Sequence, residues 1–246
     1  MVYPISSVSG MVQPCYFFSY LSHSSFPQAN QPTRLSRKPV TLFCPGIPGA
    51  GKTFLVSIVI DYLQQKLGES DVGIAYLYCD YRHIDNQTVE QLIANLVKQL
   101  FRNKFPPPPA VMDAYNRHGK KHRSQPSLSD VEDMFHAVTA LYKDGVFVIV
   151  DALDECQMSN NVRSKFIKTL LQLQSRGTNV NLLATSRPEP DIMEAFSGYS
   201  YLEIIAQKDD IERYIRNRMS DWHVVSNYPD LRDEVVSCII SVADGM

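Results

Sequence analysis

A glycine-rich segment at residues 46–53 has the spacing of a phosphate-binding loop: Gly, four residues, then Gly-Lys-Thr. Glycines let the backbone curl so that several N–H groups point at phosphate oxygens, and a following helix adds its positive N-terminus. Lys52 would bring a charge to the β- and γ-phosphates, and Thr53 a hydroxyl to Mg²⁺. A chance glycine-rich turn is the alternative, which the flanking strand and helix patterns disfavour. The predicted binding residues are Gly46, Ile47, Pro48, Gly49, Ala50, Gly51, Lys52 and Thr53.

A group of acidic residues follows the apolar stretch at residues 146–150. A hydrophobic strand that ends in an acid is the place for a magnesium-holding aspartate, which predicts that role for Asp151. Glu155 is placed to orient or deprotonate an attacking water, and Asp154 could share that work. The alternative is that Asp154 and Glu155 only cap the next helix, where carboxylates are favoured.

Arg187 follows another apolar stretch, at residues 182–184, and the pair Thr185-Ser186. Arginine binds phosphate through its forked guanidinium, so Arg187 is predicted to sense a γ-phosphate. The tripeptide Thr185-Ser186-Arg187 is by itself a weak signal for this function. It gains weight because it ends the next strand along the chain after the strand of Asp151.

Strand and helix patterns alternate across residues 40–206, and this predicts an α/β fold with a parallel sheet covered on both faces. A helix is predicted at 52–67, with Gly68 at its C-terminal end. Two more helices are predicted, one after a capping box of Thr88 with Gln91 and one after a capping box of Ser129 with Glu132. The stretch from the prolines at 106–109 to Arg123 is predicted to be an exposed insertion. Strands are predicted at 40–44, 72–78, 146–150, 181–185 and 201–206, and further helices at 162–173, 209–219 and 231–243.

Three regions are expected along the chain. Residues 1–39 are rich in Ser, Pro and aromatics and lack a regular period, so they are predicted to be a poorly ordered leader. Residues 40–206 would form the NTPase core. Residues 207–246 would form part of a small helical lid subdomain, cut short where the pattern stops.

Composition excludes several classes of protein. The chain has 246 residues, 44% hydrophobic residues and a formal net charge of −2, which argues against disorder and against a protein that coats nucleic acid. Its apolar stretches are shorter than the ~20 residues that cross a bilayer. The five cysteines form no Cys-x-x-Cys pair, which predicts reduced thiols and a cytoplasmic location. His118 and His122 lack Glu or Cys partners nearby, which favours a solvated loop over a metal site.

Four motifs in order, at residues 44–53, 78–81, 151–155 and 185–188, resemble the NACHT-type NTPase domain (STAND class) of fungal signalling proteins. The likeness is to the nephrocystin-3-like N-terminal version and covers about residues 40–246, whereas residues 1–39 are expected to be atypical for the family. It implies a P-loop NTPase fold, a three-layer αβα sandwich with a five-stranded parallel sheet. In that fold the strand before Arg187 lies between the phosphate-loop strand and the strand of Asp151.

The resemblance also implies roles and partners. Lys52 and Thr53 would hold the phosphates of ATP or ADP and Mg²⁺, Asp151 the Mg²⁺, Glu155 the water and Arg187 the γ-phosphate. Family members act as NLR-like switches that are closed with ADP and form homo-oligomers with ATP. The effector and repeat domains of family members are expected to be absent from this chain.

The resulting expectation is a nucleotide switch with slow ATP hydrolysis and with neither nucleic acid nor membrane as a partner. A non-catalytic nucleotide-binding scaffold module and a truncated fragment remain alternatives. A metabolic P-loop kinase is less favoured because no acceptor pocket is visible in the sequence.

Overall fold

The computed structural model describes residues 39–82, 88–102, 104–119, 124–156, 161–176, 179–205, 208–219 and 229–243. The predicted leader, apart from its last residue, lies outside these ranges, as do His122 and Gly177. Among the described residues, no helix combines the length and the apolar character that a membrane span needs.

The core of the molecule is a sheet of five parallel strands in the order β2-β3-β4-β1-β5. The expected placement of the strand before Arg187, between the phosphate-loop strand and the strand of Asp151, is confirmed. The strands are β1 (Thr41–Pro45), β2 (Gly73–Tyr78), β3 (Val146–Asp151), β4 (Val180–Ser186) and β5 (Ser200–Tyr201).

Eight helices surround or follow the sheet in the described residues. They are α1 (Lys52–Leu67), α2 (Val89–Phe101), α3 (Pro109–His118), α4 (Leu128–Thr139), α5 (Val162–Arg176), α6 (Pro190–Ala195), α7 (Lys208–Met219) and α8 (Pro229–Ala243).

Alternating side chains of the strands face two separate apolar cores, as the period of two in a strand requires. In β3, Val146, Val148 and Val150 pack with α2, α4 and α5, whereas Phe147 and Ile149 pack with α1 on the other face. The sheet is therefore covered on both sides, and the predicted three-layer α/β architecture is confirmed. α7 and α8 pack on each other through a small core of their own: Ile215, Met219, Val236 and Ile240.

The register of the strands aligns their carboxyl ends. Tyr78 at the end of β2 lies opposite Asp151 at the end of β3, and Pro45 at the end of β1 lies opposite Ser186 at the end of β4. The segments that follow these residues therefore emerge at one edge of the sheet, where ligands of open parallel sheets bind.

The two predicted capping boxes have different outcomes. The box of Thr88 with Gln91 is present at the start of α2. The box of Ser129 with Glu132 is wrong, because Ser127 and Asp130 form the reciprocal bonds at the start of α4. Ser127 has the extended backbone that a cap requires, whereas Ser129 already lies inside the helix.

Parts of the predicted element pattern differ from the structure. Residues 109–118 form α3, since prolines are tolerated in the first turn of a helix and do not exclude one there. Arg117 and His118 both contact the carboxylate of Asp130, so this end of the expected insertion is packed on α4. Gly68 ends α1 with a right-handed φ of −59° and so does not form a left-handed cap.

The fifth strand is shorter than the predicted 201–206. In the described part of this segment, which extends to residue 205, only Ser200 and Tyr201 pair in the regular ladder. Beyond them, the N–H groups of Leu202 and Ile204 still donate to the carbonyls of Phe43 and Pro45. These bonds keep the chain against β1 as far as the phosphate loop.

Candidate functional site

The loop between β1 and α1 has a backbone shape that its glycines make possible. Gly49 and Gly51 have φ values of 81° and 91°, in the left-handed region that favours glycine. The N–H of Gly46 donates to the carbonyl of Ser186 at 3.0 Å. A Cβ at Gly46 would clash with the backbone carbonyl of Ile204. Sequence and packing thus fix a tight loop directly at the N-terminus of α1.

Lys52 is bound to its own loop and is influenced by the charged groups of this edge. Its Nζ donates to the carbonyls of Gly46 and Ile47 at 2.6 and 2.9 Å. Burial lowers the pKa of its ammonium, and Asp154 opposes that shift. Arg187 lowers the same pKa further, whereas Asp151 and Glu155 raise it. The charged groups singled out in the sequence after β3 and β4 therefore all act electrostatically on the ammonium of Lys52.

Thr53 and Asp151 are in direct contact across 98 residues of chain. The hydroxyl of Thr53 donates to Oδ2 of Asp151 at 2.6 Å. Asp151 is only 2% exposed at the end of β3. Since a threonine hydroxyl and a carboxylate are the hard oxygen donors that Mg²⁺ prefers, the two residues are chemically suited to a magnesium site.

Thr185 is a site residue that reading the sequence missed. Its buried hydroxyl donates to Oδ1 of Asp151 at 2.5 Å and accepts the N–H of Ala152 at 3.0 Å. Ala152 has a φ of 58°, so this bond also holds a left-handed turn. The signal available in the sequence was a threonine directly after the apolar stretch 182–184, near the end of its strand.

Asp154 is engaged with the segment after β4. Its Oδ1 accepts the N–H of Arg187 at 2.9 Å and the hydroxyl of Ser186 at 3.2 Å. Its Oδ2 lies 3.1 Å from Nε of Arg187. The side chain is 7% exposed, whereas that of Arg187 is 50% exposed. These contacts favour an anchoring function for Asp154 over the water-directing one considered from the sequence.

Glu155 ends a short 3₁₀ turn, Leu153–Glu155, that follows β3. Its N–H donates to the carbonyl of Ala152 at 2.9 Å, and its carboxylate contributes to raising the pKa of Lys52. The same carboxylate contributes to raising the pKa of Arg82, for which the paired Asp80 is the main cause. Asp80 accepts hydrogen bonds from the backbone N–H and the guanidinium of Arg82, which holds the turn after β2.

Residues 20–187 match the sequence profile of a family described as "Nephrocystin 3, N-terminal". This match covers more than half of the chain and includes the phosphate loop, the acids after β3 and Arg187. No curated protein matches the chain.

Solved structures with a similar fold include two proteins of Aeropyrum pernix. The ORC1 protein in complex with DNA has a TM-score of 0.54 at 12% identity, covering 89% of this chain and 50% of that one. The ORC2 protein (ADPNP-ADP complexes) has a TM-score of 0.51 at 14% identity, and the match covers 85% of this chain and 50% of that one. A Walker-type ATPase of Pyrococcus abyssi has a TM-score of 0.53 at 11% identity, with 90% and 61% covered. The chain thus spans between half and three-fifths of the length of these proteins, and at such identities the likeness shows a common fold.

Proposed function

Because the chain belongs to the nephrocystin 3 N-terminal family, we propose that it is a nucleotide-binding P-loop NTPase that binds Mg·ATP and Mg·ADP. In this proposal it hydrolyses ATP slowly and acts as an NLR-like switch of the NACHT and STAND kind. The ATP state would assemble into homo-oligomers and the ADP state would not.

One observation carries the proposal: the contact of Thr53 with Asp151 at the carboxyl edge of the sheet. A glycine-rich loop alone could be a structural turn. Here the hydroxyl of Thr53, next to the loop lysine, contacts the buried carboxylate of Asp151. Asp151 ends β3, which lies two positions from β1, the strand that leads into the loop. This pairing supports a site for a polyphosphate with a divalent cation.

Magnesium would be held by Thr53 and Asp151. The hydroxyl of Thr53 can offer a lone pair to a cation while it still donates its proton to Asp151. When bound, Mg²⁺ would neutralise charge on the β- and γ-phosphate oxygens. Arg187, half exposed and held by Asp154, would meet the γ-phosphate, and Glu155 would orient the attacking water.

Lys52 is expected to change partners when a nucleotide binds. Its ammonium is hydrogen-bonded to two carbonyls of its own loop. Phosphate oxygens carry more negative charge than carbonyl oxygens and form stronger charge-assisted bonds. Exchange of the two carbonyls for phosphate oxygens would therefore close the loop around its ligand.

The absence of a nucleic-acid partner stays a prediction from the composition of the chain. The ORC1 neighbour was solved with DNA, but its likeness to this chain is one of fold. The predicted cytoplasmic location is likewise a proposal, based on the dispersed cysteines.

The binding part of the proposal is tested by titrating the full chain with a fluorescent ATP analogue in the presence of Mg²⁺. We expect a dissociation constant in the micromolar range, weakened about 10- to 100-fold or more by Lys52→Ala, because charge-assisted bonds are lost. Lys66→Ala is the matched control, since Lys66 is an exposed lysine at the other end of α1. Equal affinity of the Lys52→Ala variant and the wild type would refute the assignment of the loop.

The switch part is tested by light scattering at equal protein concentration with ATP or with ADP. We expect a larger mass with ATP than with ADP, and no difference for Lys52→Ala. Identical masses in both nucleotides, together with normal binding, would leave a nucleotide-holding scaffold module as the better description.

A further inference from the structure

Two cysteines from distant parts of the chain meet beside the candidate site. Sγ of Cys79 lies 2.6 Å from Sγ of Cys156, and the two residues are separated by 77 positions. Both are buried, at 6% and 2% exposure, and both are free thiols. Sequence reasoning treated the cysteines as dispersed, since it could not place these two together.

The backbone fixes both cysteines in place. Cys79 directly follows β2, and its N–H donates to the carbonyl of Asp151 at 3.0 Å. Cys156 directly follows the 3₁₀ turn, and its N–H donates to the carbonyl of Leu153 at 3.2 Å. Cys79 is thus placed by the end of β2 and its bond to Asp151 of β3, and Cys156 by the turn that follows β3.

We propose that Cys79 and Cys156 are a redox modification site that forms a reversible intramolecular disulfide with a two-electron oxidant of the peroxide class. A disulfide bond is about 2.05 Å long, so the sulfur atoms need to approach by only a fraction of an ångström. The bridge would tie the end of β2 to the turn that carries Asp154 and Glu155. The proposal does not depend on nucleotide binding.

The oxidation proceeds in two balanced steps. One thiol, after losing its proton, attacks a peroxide oxygen, which gives a sulfenic acid and releases hydroxide that takes up the proton as water. The second thiol then attacks the sulfenic sulfur, the S–S bond forms and a second water leaves. Two thiols and one hydrogen peroxide thus become one disulfide and two waters. Because contact with Cys156 and burial raise the pKa of Cys79, we expect slow oxidation by peroxide.

The test uses the full chain, fully reduced, freed of reductant and then treated with one equivalent of hydrogen peroxide. We expect the intact mass to fall by two hydrogens and non-reducing peptide mapping to find the peptide of Cys79 joined to that of Cys156. The bridge would close a long loop of the unfolded chain, so oxidation should raise the melting temperature by roughly 5 °C or more. A thiol reductant should reverse both changes.

Matched variants identify the bridge. Cys44→Ser and Cys238→Ser should keep the mass change, since Cys44 lies in the core on the other face of the sheet and Cys238 is exposed. Cys79→Ser and Cys156→Ser should each lose it. Peptide mapping of the wild type decides the question even if a variant fails to fold. A different pairing, oxidation that stops at sulfenic or sulfinic acid, no reaction, or a bridge that fails to raise the melting temperature would each overturn the proposal.

Discussion

The hydroxyl of Thr185 donates a hydrogen bond to Oδ1 of Asp151 across 2.5 Å, from the adjacent strand of the sheet. The other oxygen of the same carboxylate accepts the hydroxyl of Thr53. Each oxygen of the buried acid therefore has a threonine donor, one from β4 and one from the start of α1. This arrangement fixes the orientation of the carboxylate before any ligand arrives.

Replacing Thr185 by valine should destabilise the protein. Valine keeps the shape but leaves Oδ1 of Asp151 and the N–H of Ala152 without this partner. Unpaired buried groups cost about 1–3 kcal/mol each, so the free energy of unfolding in urea should fall by at least that amount. Thr185→Ser keeps the hydroxyl, so its free energy of unfolding should fall less than that of Thr185→Val.

Thr41→Val is the matched control for this prediction. Thr41 is also a buried threonine of the sheet, but its hydroxyl has no hydrogen-bond partner among the residues that the structure describes. Its replacement should therefore be neutral or stabilising. If Thr41→Val and Thr185→Val lower the free energy of unfolding equally, the contact of Thr185 with Asp151 adds nothing to stability.

Glu155→Gln should separate nucleotide binding from hydrolysis. The amide cannot accept a proton from water, and general-base catalysis contributes about 10²- to 10⁴-fold, so phosphate release should fall by two orders of magnitude or more. Affinity for an ATP analogue should stay within a few-fold of the wild type. A colorimetric phosphate assay beside the binding titration measures both. Unchanged release would remove Glu155 from the proposed mechanism.

Asp154 and Arg187 should behave as a coupled pair in hydrolysis. If Asp154 holds Arg187 in place, then Asp154→Asn and Arg187→Ala should each slow phosphate release, and the double variant should be no slower than Arg187→Ala alone. Additive losses would indicate that Asp154 acts independently, as a second group directing water. The effect of Arg187→Ala on unfolding should be small, about 0–1 kcal/mol, because the guanidinium is half exposed.

Asp130 should make stability depend on pH in acid. Hydrogen bonds from the hydroxyl and N–H of Ser127, with help from Arg117 and His118, lower its pKa from 3.8 to about 2. A depressed carboxyl pKa stabilises the fold above pH 3.8, and this stabilisation disappears as the pH falls through 2. The free energy of unfolding in urea should be measured at pH 5, 3.5 and 2. It should decline less with falling pH for Asp130→Asn than for the wild type.

Asp133→Asn provides the comparison for Asp130, since Asp133 is an exposed aspartate on the same helix. This variant should keep the acid dependence of the wild type. If the free energy of unfolding of both Asp130→Asn and Asp133→Asn falls with pH as steeply as that of the wild type, the network around Asp130 does not control stability in acid.

The local patterns of the sequence predicted most of the secondary structure. α1 begins and ends at the predicted residues, Lys52 and Leu67, because its boundaries depend on an adjacent glycine turn and on apolar spacing within a few residues. The helix at 109–118 was missed because a run of prolines signals a break as readily as it signals a helix start. The cap of α4 was misplaced because two Ser-x-x-acid patterns overlap at residues 127–132, and spacing alone does not choose between them.

The sequence by itself determined the α/β alternation and the set of residues that would gather at one sheet edge, because motif spacing and hydrophobic period are local properties. Only the tertiary structure decided the partners within that edge. The contacts of Thr185 with Asp151, of Asp154 with Arg187 and of Cys79 with Cys156 join residues 33 to 77 positions apart. They depend on which strands are neighbours and on the register between them, and a one-residue change of register would turn each strand's side chains to the opposite face.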